Sequence, residues 1–415
     1  MMYAATRDFI ETHLNDDVRR LALTKFPDNI DKTFVLNQIE ARQHLSKKVP
    51  SWAANPDLLY PKHISIEQCS SEITARYKTS IISDGEVFVD LTGGLGVDSY
   101  FLSEKFKEAY YVESQKELCD LAEHNFSVLG RKITVVNSEA EVFLDNCNGS
   151  RQSISPDLVF IDPARRDIYN RKMVSLHDCS PDVIELQRQL YENSVETRFI
   201  KSLLIKASPM LDISLIIKEL QNISEIHIVS VKNECKEILI KIEPGFCGET
   251  KFTCIDLRQD LKGLQDISPL ISSEAIDFTT AEEKSAVPTF SSTIKKYLYE
   301  PGAALMKAGA FKLVSQRFGI DKLHINSHLY TSDNLIPDFP GRVFEVVESA
   351  PYNKKVKKEV LKDVAEASVS VRNFPLTAND LRKSLNLKES DNTFIFGTTM
   401  MGEKKVVILC KKYKE

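Results

Sequence analysis

The segment VFVDLTGGLGVDSYFLSEKF, residues 87–106, constrains this chain more than any other. A short apolar run ends in the carboxylate of Asp90, passes through a turn containing Gly93, Gly94 and Gly96, and continues with helical spacing. Glycines let the backbone turn sharply and approach a ligand closely, where side chains would obstruct it. A strand feeding a glycine turn and then a helix opens a βαβ unit. The chain should therefore contain a parallel sheet with ligands at the carboxyl ends of its strands.

The surrounding pattern agrees. Short apolar strands are expected at EVFVDL (86–91), AYYVES (109–114), ITVVN (133–137), PDLVFID (156–162), SLLIKAS (202–208), IHIVSV (226–231) and EILIKI (237–242). Helical spacers separate the first five. The tight polar turn from Lys232 to Lys236 predicts an antiparallel hairpin at one sheet edge. Together these predict an α/β fold with a seven-stranded, Rossmann-like sheet. Residues 1–78 read as a helical region, with apolar positions at Phe9, Ile10, Leu14, Val18, Leu21 and Leu23 and again from Phe34 to Ile39. Pro50, Pro56 and Pro61 interrupt this spacing, and a helix capped near Ser65 leads into the first strand. After residue 245 the rhythm is lost. Residues 246–290 read as a connector, followed by a C-terminal α+β region that ends in the strands TFIFGTTM and KKVVILC.

A chain of 415 residues is expected to form two or three domains. Its net charge of −5 argues against a uniformly basic nucleic-acid binder but leaves room for a local basic face. No apolar run approaches the ~20 residues that span a bilayer. The N-terminus MMYAATRDFIETHLNDDVRR shows no signal pattern, so a cytoplasmic protein without membrane contact is expected. The cysteines are scattered with no CxxC pair, which predicts reduced, structural thiols. His324 and His328 lie four apart without an acidic base between them, and no metal is expected.

Glu113 ends the second expected strand, 17 residues after Gly96. A carboxylate there can accept hydrogen bonds from both ribose hydroxyls of an adenosine ligand. A nicotinamide-dependent oxidoreductase would share that feature. However, DLTGGLG lacks the GxGxxG spacing of a pyrophosphate cradle, and such an enzyme leaves Asp90 without a role. An S-adenosylmethionine (SAM) site uses Asp90 to face the cationic methionine portion, with Thr92 in the turn and Ser114 beside Glu113 completing the lining. Glu139, just past the third strand, is placed to accept from the adenine amino group, or is a solvated acid at a helix start. Asp162 ends the fourth strand in DLVFIDPARRD, with Pro163 fixing the next turn, and forms the expected edge of a methyl-transfer pocket.

With these residues in hand, the chain resembles the class I SAM-dependent methyltransferases over roughly residues 65–245. The segments FVLNQIEARQHLSKKVPSW, IEQCSSEITARYK, DLTGGLGVD, FIDPARRD, IKASPMLD, VKNECKEILI, YLYEPGAALMKAGAF and VRNFPLTANDLRKSL more closely resemble a bacterial group of these proteins with a THUMP-like C-terminal domain. The resemblance implies a methyltransferase domain at 79–245, a ferredoxin-like segment at 291–340 and a THUMP-like domain at 341–415. True THUMP domains bind RNA, so it also implies an RNA acceptor, a base of rRNA or tRNA. Two basic segments could serve such a partner: Lys354, Lys355, Lys357 and Lys358 with Arg372, Arg382 and Lys383, and Arg42, Lys47 and Lys48 with Trp52. Both also read as ordinary solvated faces, with Trp52 anchoring its helix.

Methyl transfer is an in-line displacement, so the enzyme chiefly positions a nucleophile and receives a proton. Asp162 is the candidate for orienting or deprotonating that nucleophile. Arg165 and Arg166 could hold a phosphate or carboxylate bidentately, or pair with Asp167 and Glu113. Lys206, Ser208 and Pro209 follow the fifth strand and are expected at the pocket mouth. Methyltransferases acting on amino groups of nucleic acids place two prolines and an aromatic after the acid. Here Pro163 is followed by Ala164 and Arg165, so a ring would have to come from Tyr169 or Tyr100. Cys179 and Cys235 lack the proline-flanked setting of enzymes that methylate pyrimidine carbons and are expected to be structural. A methyltransferase of proteins or small molecules and a noncatalytic RNA-binding adaptor remain alternatives, and the oligomeric state is left open.

Overall fold

The computed structural model describes residues 4–61, 67–149, 154–165, 176–192, 200–257, 275–353, 355–356, 360–362 and 364–413. The chain divides into two compact units. The first comprises Met1–Ile226, Glu237–Gly248 and Leu257–Ser273, and the second His227–Lys236, Glu249–Asp256 and Glu274–Glu415.

The first unit is built on parallel strands β1 (Gly85–Asp90), β2 (Phe106–Glu113), β3 (Thr134–Asn137) and β4 (Leu158–Ile161). A two-residue ladder of β5 (Ala164–Arg165) with β6 (Cys179–Ser180) follows β4, and β7 (Ser202–Ala207) returns to the main sheet. All four β4 residues are buried, as befits a strand covered on both faces. β1 lies between β2 and β4, with Asp90 in register with Tyr111 and Phe160. This reversal of strand order opens the crevice where α/β sheets bind ligands.

β8 (Ile223–Val231) and β9 (Glu234–Ile242) form the expected hairpin, and β9 pairs antiparallel with β7. The loop is shorter than expected. Lys232 (φ 53) and Asn233 (φ 61) are both left-handed, as a two-residue hairpin loop requires. The hairpin is also not at the edge. Among the described residues the strand order is β11-β10-β8-β9-β7-β4-β1-β2-β3, nine strands where seven were expected. The additional strands, β10 (Lys251–Leu257) and β11 (Ile276–Thr279), fall in the stretch expected to be a connector. β10 is buried on both faces and so shows no alternation, while β11 has only four residues, IDFT, two of them polar.

The N-terminal helices belong to the first unit. The helix Lys32–Lys48 is capped by Asp31, and Pro50 starts the short helix Pro50–Ala53. Ala41, Leu45, Val49 and Trp52 share one core cluster with Leu95, Val97 and Phe101 of the glycine turn and its helix. The expected cap at Ser65 lies outside the described residues. The helix Glu72–Ser80 is capped by Ser71.

Among its described residues the second unit contains a seven-stranded sheet. Its strands are β12 (Tyr297–Pro301), β13 (Asp321–Lys322), β14 (Tyr330–Ser332), β15 (Gly341–Pro351), β16 (Ser368–Arg372), β17 (Thr393–Met400) and β18 (Lys404–Lys412). They run in the order β13-β14-β12-β15-β18-β17-β16. β15 pairs with both β12 and β18, so the segments on either side of residue 341 share one sheet. Alternate residues of β17 and β18 enter different clusters. Phe394, Phe396, Ile408 and Cys410 lie in one, and Ile395, Val407 and Leu409 in the other. The sheet is therefore covered on both faces. Among the described residues no helix is long and apolar enough to cross a membrane.

Candidate functional site

The three glycines after β1 do different work. A Cβ at Gly93 would lie 2.2 Å from the Tyr111 ring, and one at Gly96 (φ +83) 2.8 Å from Phe126. These two let the turn pack on buried aromatic rings. Gly94 (φ +55) has only the Thr92 carbonyl near, at 3.8 Å. Its Cα faces open space, and there a ligand can approach the backbone.

Beside that opening stands Glu113. Its Oε2 accepts from Gly94 N at 3.0 Å, and its Oε1 from Gln115 N at 2.8 Å and Ser114 Oγ at 3.4 Å. The carboxylate is fixed by these donors and keeps lone pairs for further ones. Asn137, its register partner on β3, holds the Glu113 and Ser114 carbonyls at 2.9 and 2.8 Å. Glu139 is exposed and precedes the helix Ala140–Gly149. A carboxylate pinned beside an unobstructed glycine fits the adenosine of a SAM-type ligand.

Asp90 is 1% exposed. Its Oδ1 accepts from Thr92 N at 2.9 Å and Thr92 Oγ1 at 3.4 Å, and its Oδ2 from Ser99 Oγ at 2.5 Å. Burial pushes its carboxyl up to about 7, with the Ser99 and Thr92 bonds opposing. Both oxygens thus serve the turn. Thr92 Oγ1 also accepts from Asp162 N at 2.6 Å, which ties the tips of β1 and β4 together.

Asp162 Oδ2 lies 2.5 Å from Lys206 Nζ. Lys206, expected at the substrate mouth, is mostly buried and committed to this carboxylate. Burial would lower its ammonium, but Asp162 and Asp98 overcome that and hold it well above the usual lysine range. Behind it lie Asp98, Lys78 and Glu237, none of which the sequence reading singled out. A signal was present for Lys78, which follows Tyr77 on the helix face buried at Ile73, Thr74 and Tyr77. Ser208 is half-buried and accepts from Met210 N at 3.3 Å.

Other expected residues are placed differently. Arg165 lies in β5 opposite Cys179, which is buried, while Arg166, Asp167 and Tyr169 are outside the described residues. The Tyr100 ring packs against Trp52 and Phe101 beneath Arg131, so it is not available as a base clamp. Trp52 is fully buried, and the 5%-exposed Arg42 donates to Ala53 O at 3.2 Å and pairs with Glu11. Arg42 and Trp52 are therefore interior, whereas Lys47 of the same segment is exposed.

In the second unit, Arg372 pairs with Glu300 at 2.8 Å and Arg382 with Glu389 at 2.7 Å. Lys354, Lys357 and Lys358 are outside the described residues, whereas Lys355 and Lys383 are exposed. His324 accepts from Asn373 at 3.0 Å, and His328 stacks on Phe311 with ring centres 3.5 Å apart. Among the described residues no group of three or more side chains could hold a metal ion.

A ferredoxin-like domain family matches residues 297–340, and a THUMP domain-like family matches residues 341–412. No curated protein matches the chain. Among solved structures, a Porphyromonas gingivalis W83 protein named as a candidate methyltransferase aligns with a TM-score of 0.83 and 33% identity, covering 100% of both chains. TrmK of M. capricolum, solved with S-adenosyl-homocysteine, aligns over 41% of this chain and 68% of its own, with 14% identity and a TM-score of 0.31. An rRNA methylase from Streptococcus thermophilus aligns over 41% and 93%, with 15% identity and a TM-score of 0.27. The full-length match, on a sheet with this strand order and glycine turn, shows that the chain belongs to the class I SAM-dependent methyltransferases with a THUMP-like C-terminal region.

Proposed function

We propose that the protein uses SAM to methylate a base of rRNA or tRNA in the cytoplasm. The observation that carries the cofactor half is Glu113, pinned by Gly94 N and Gln115 N beside the open face of Gly94. Glu113 accepts the ribose hydroxyls, and Ser114 and Glu139 line the adenine side. Asp90, Thr92 and the glycine turn with Gly93 and Gly96 shape the methionine side. SAM supplies an activated methyl group. Lys206 holds Asp162 Oδ2, which leaves Oδ1 to accept a hydrogen bond from the acceptor and orient it. Arg165 and Arg166, next in the chain, bind an RNA phosphate, and Ser208 borders the acceptor. Support for RNA comes from the THUMP-like match at residues 341–412. Eight free cysteines suit a reducing compartment.

The test is incubation of the purified protein with tritiated SAM and total RNA from a strain lacking the gene, with Asp162→Ala as control. Label on a defined RNA class from the wild type alone supports the reading. SAM binding without transfer to RNA would sink the RNA acceptor and turn the search to proteins and metabolites.

A further inference from the structure

Five charged side chains of alternating sign are joined pair by pair from Asp162 into the interior of the first unit. Asp162 Oδ2 lies 2.5 Å from Lys206 Nζ, and Lys206 Nζ lies 3.8 Å from Asp98 Oδ2. Asp98 Oδ1 is 3.3 Å from Lys78 Nζ, which donates to Glu237 at 2.7 and 2.9 Å. Ser70 Oγ braces the middle, donating to Asp98 Oδ2 at 2.6 Å and accepting from Lys78 at 3.2 Å. Side-chain exposure is 35% at Asp162, 12% at Lys206, 9% at Asp98, 4% at Glu237 and 0% at Lys78. Asp162, at the tip of β4, is the most exposed of the five.

When all five are ionised, three carboxylates face two ammonium groups, so the ladder holds one negative charge in excess; burial pushes the Glu237 carboxyl up, and the Lys78 and Lys206 ammonium groups oppose that. A buried charge without a counter-ion is costly, and a cation arriving at the open end relieves that cost. SAM brings a positive sulfonium, which S-adenosylhomocysteine (SAH) has lost.

We propose that this ladder senses the charge of the cofactor, so that Glu237, which contacts Lys78 and not the site, sets the ratio of SAM affinity to SAH affinity. The inference rests on the SAM reading above but not on RNA as acceptor. Its physical consequence is easier product release, since methyl transfer itself removes the charge that the ladder holds.

The test is calorimetric titration of SAM and of SAH into the wild type, Glu237→Gln, and the double variant Lys78→Met with Glu237→Leu, each checked for cooperative unfolding. Glu237→Gln should lower the SAM-to-SAH affinity ratio by about three- to tenfold, the order expected for one unit charge acting at an effective dielectric of about 20. The double variant removes an ion pair and leaves the excess charge intact, and apolar replacement of a buried pair is generally tolerated. Its ratio should return to that of the wild type. An unchanged ratio in Glu237→Gln, or an equal fall in the double variant, overturns the proposal. If Glu237→Gln does not fold, Glu237→Met neutralises the same position without adding a polar group and must give the same fall. If the folded wild type binds neither ligand, the SAM reading fails instead.

Discussion

The Tyr111 hydroxyl donates to the Gly94 carbonyl at 2.6 Å, which fastens the middle of the glycine turn to the neighbouring strand. The same ring fills the space a side chain at Gly93 would need. Tyr111→Phe should therefore cost about 1 kcal/mol of stability, the usual net worth of one buried hydrogen bond, and weaken SAM binding only a few-fold. Gly93→Ala forces the ring or the turn to move and should cost about 1–3 kcal/mol, with a larger loss of SAM affinity. Urea unfolding and calorimetry on both variants would show it. Equal effects would mean that the ring does not shape the turn.

Glu113 makes its contacts at the half-exposed rim of the site, so its removal should spare the fold. Glu113→Ala is expected to raise the SAM dissociation constant by about ten- to a hundredfold, the range for hydrogen bonds to an ionised acceptor. The melting temperature should change little. A tight-binding Glu113→Ala variant would show that the ribose is held elsewhere.

The first sheet was legible in the sequence because its strands are short apolar runs punctuated by helices, and Asp90, Glu113 and Asp162 announce themselves as acids at strand tips. The ladder behind Asp162 was not legible. Lys78 and Glu237 are 159 residues apart and meet only when the helix Glu72–Ser80 packs near β9, and a charged residue on an apolar face reads as a break in the pattern. β10 and β11 escaped because one strand lacks alternation and the other is too short to show any. Arg42 and Trp52 misled in the opposite direction: a basic segment with an aromatic looks like a surface, yet both side chains are spent on Ala53, Glu11 and the core.

Asp90 gives the first unit a pH signature. Its folded carboxyl is pushed up to about 7 by burial, against an ordinary 3.8, so between these values the folded state holds a proton that the unfolded state has released. Stability from this group is fully present below about 3.8 and is lost as pH rises through about 7. The full effect is on the order of 4 kcal/mol. Asp90→Asn removes the titration, so its stability relative to wild type should improve steadily from pH 4 to 7 and level off above. Parallel stability curves for the two proteins, measured by urea unfolding across that range, would refute this account.

His328 predicts the opposite slope for the second unit. Burial, helped by the neighbouring Lys322 and Arg372 cations, lowers its imidazole from 6.5 to about 4. The unfolded chain therefore takes up a proton that the folded ring refuses, and stability present above 6.5 is lost as pH falls towards 4. At full strength the effect is ~3 kcal/mol, reduced by solvent for a half-buried ring. The residue also holds a left-handed backbone (φ 52), which asparagine tolerates better than most replacements. His328→Asn keeps that conformation and removes the titration, although it forfeits the stack on Phe311. It should be less stable than wild type at neutral pH, and the gap should narrow as pH falls from 6.5 to 4. Hydrogen exchange of amides in β12, β14 and β15, followed across that range, reads the stability of this unit. A gap that stays constant would show that the ring titrates in the folded protein as it does in water.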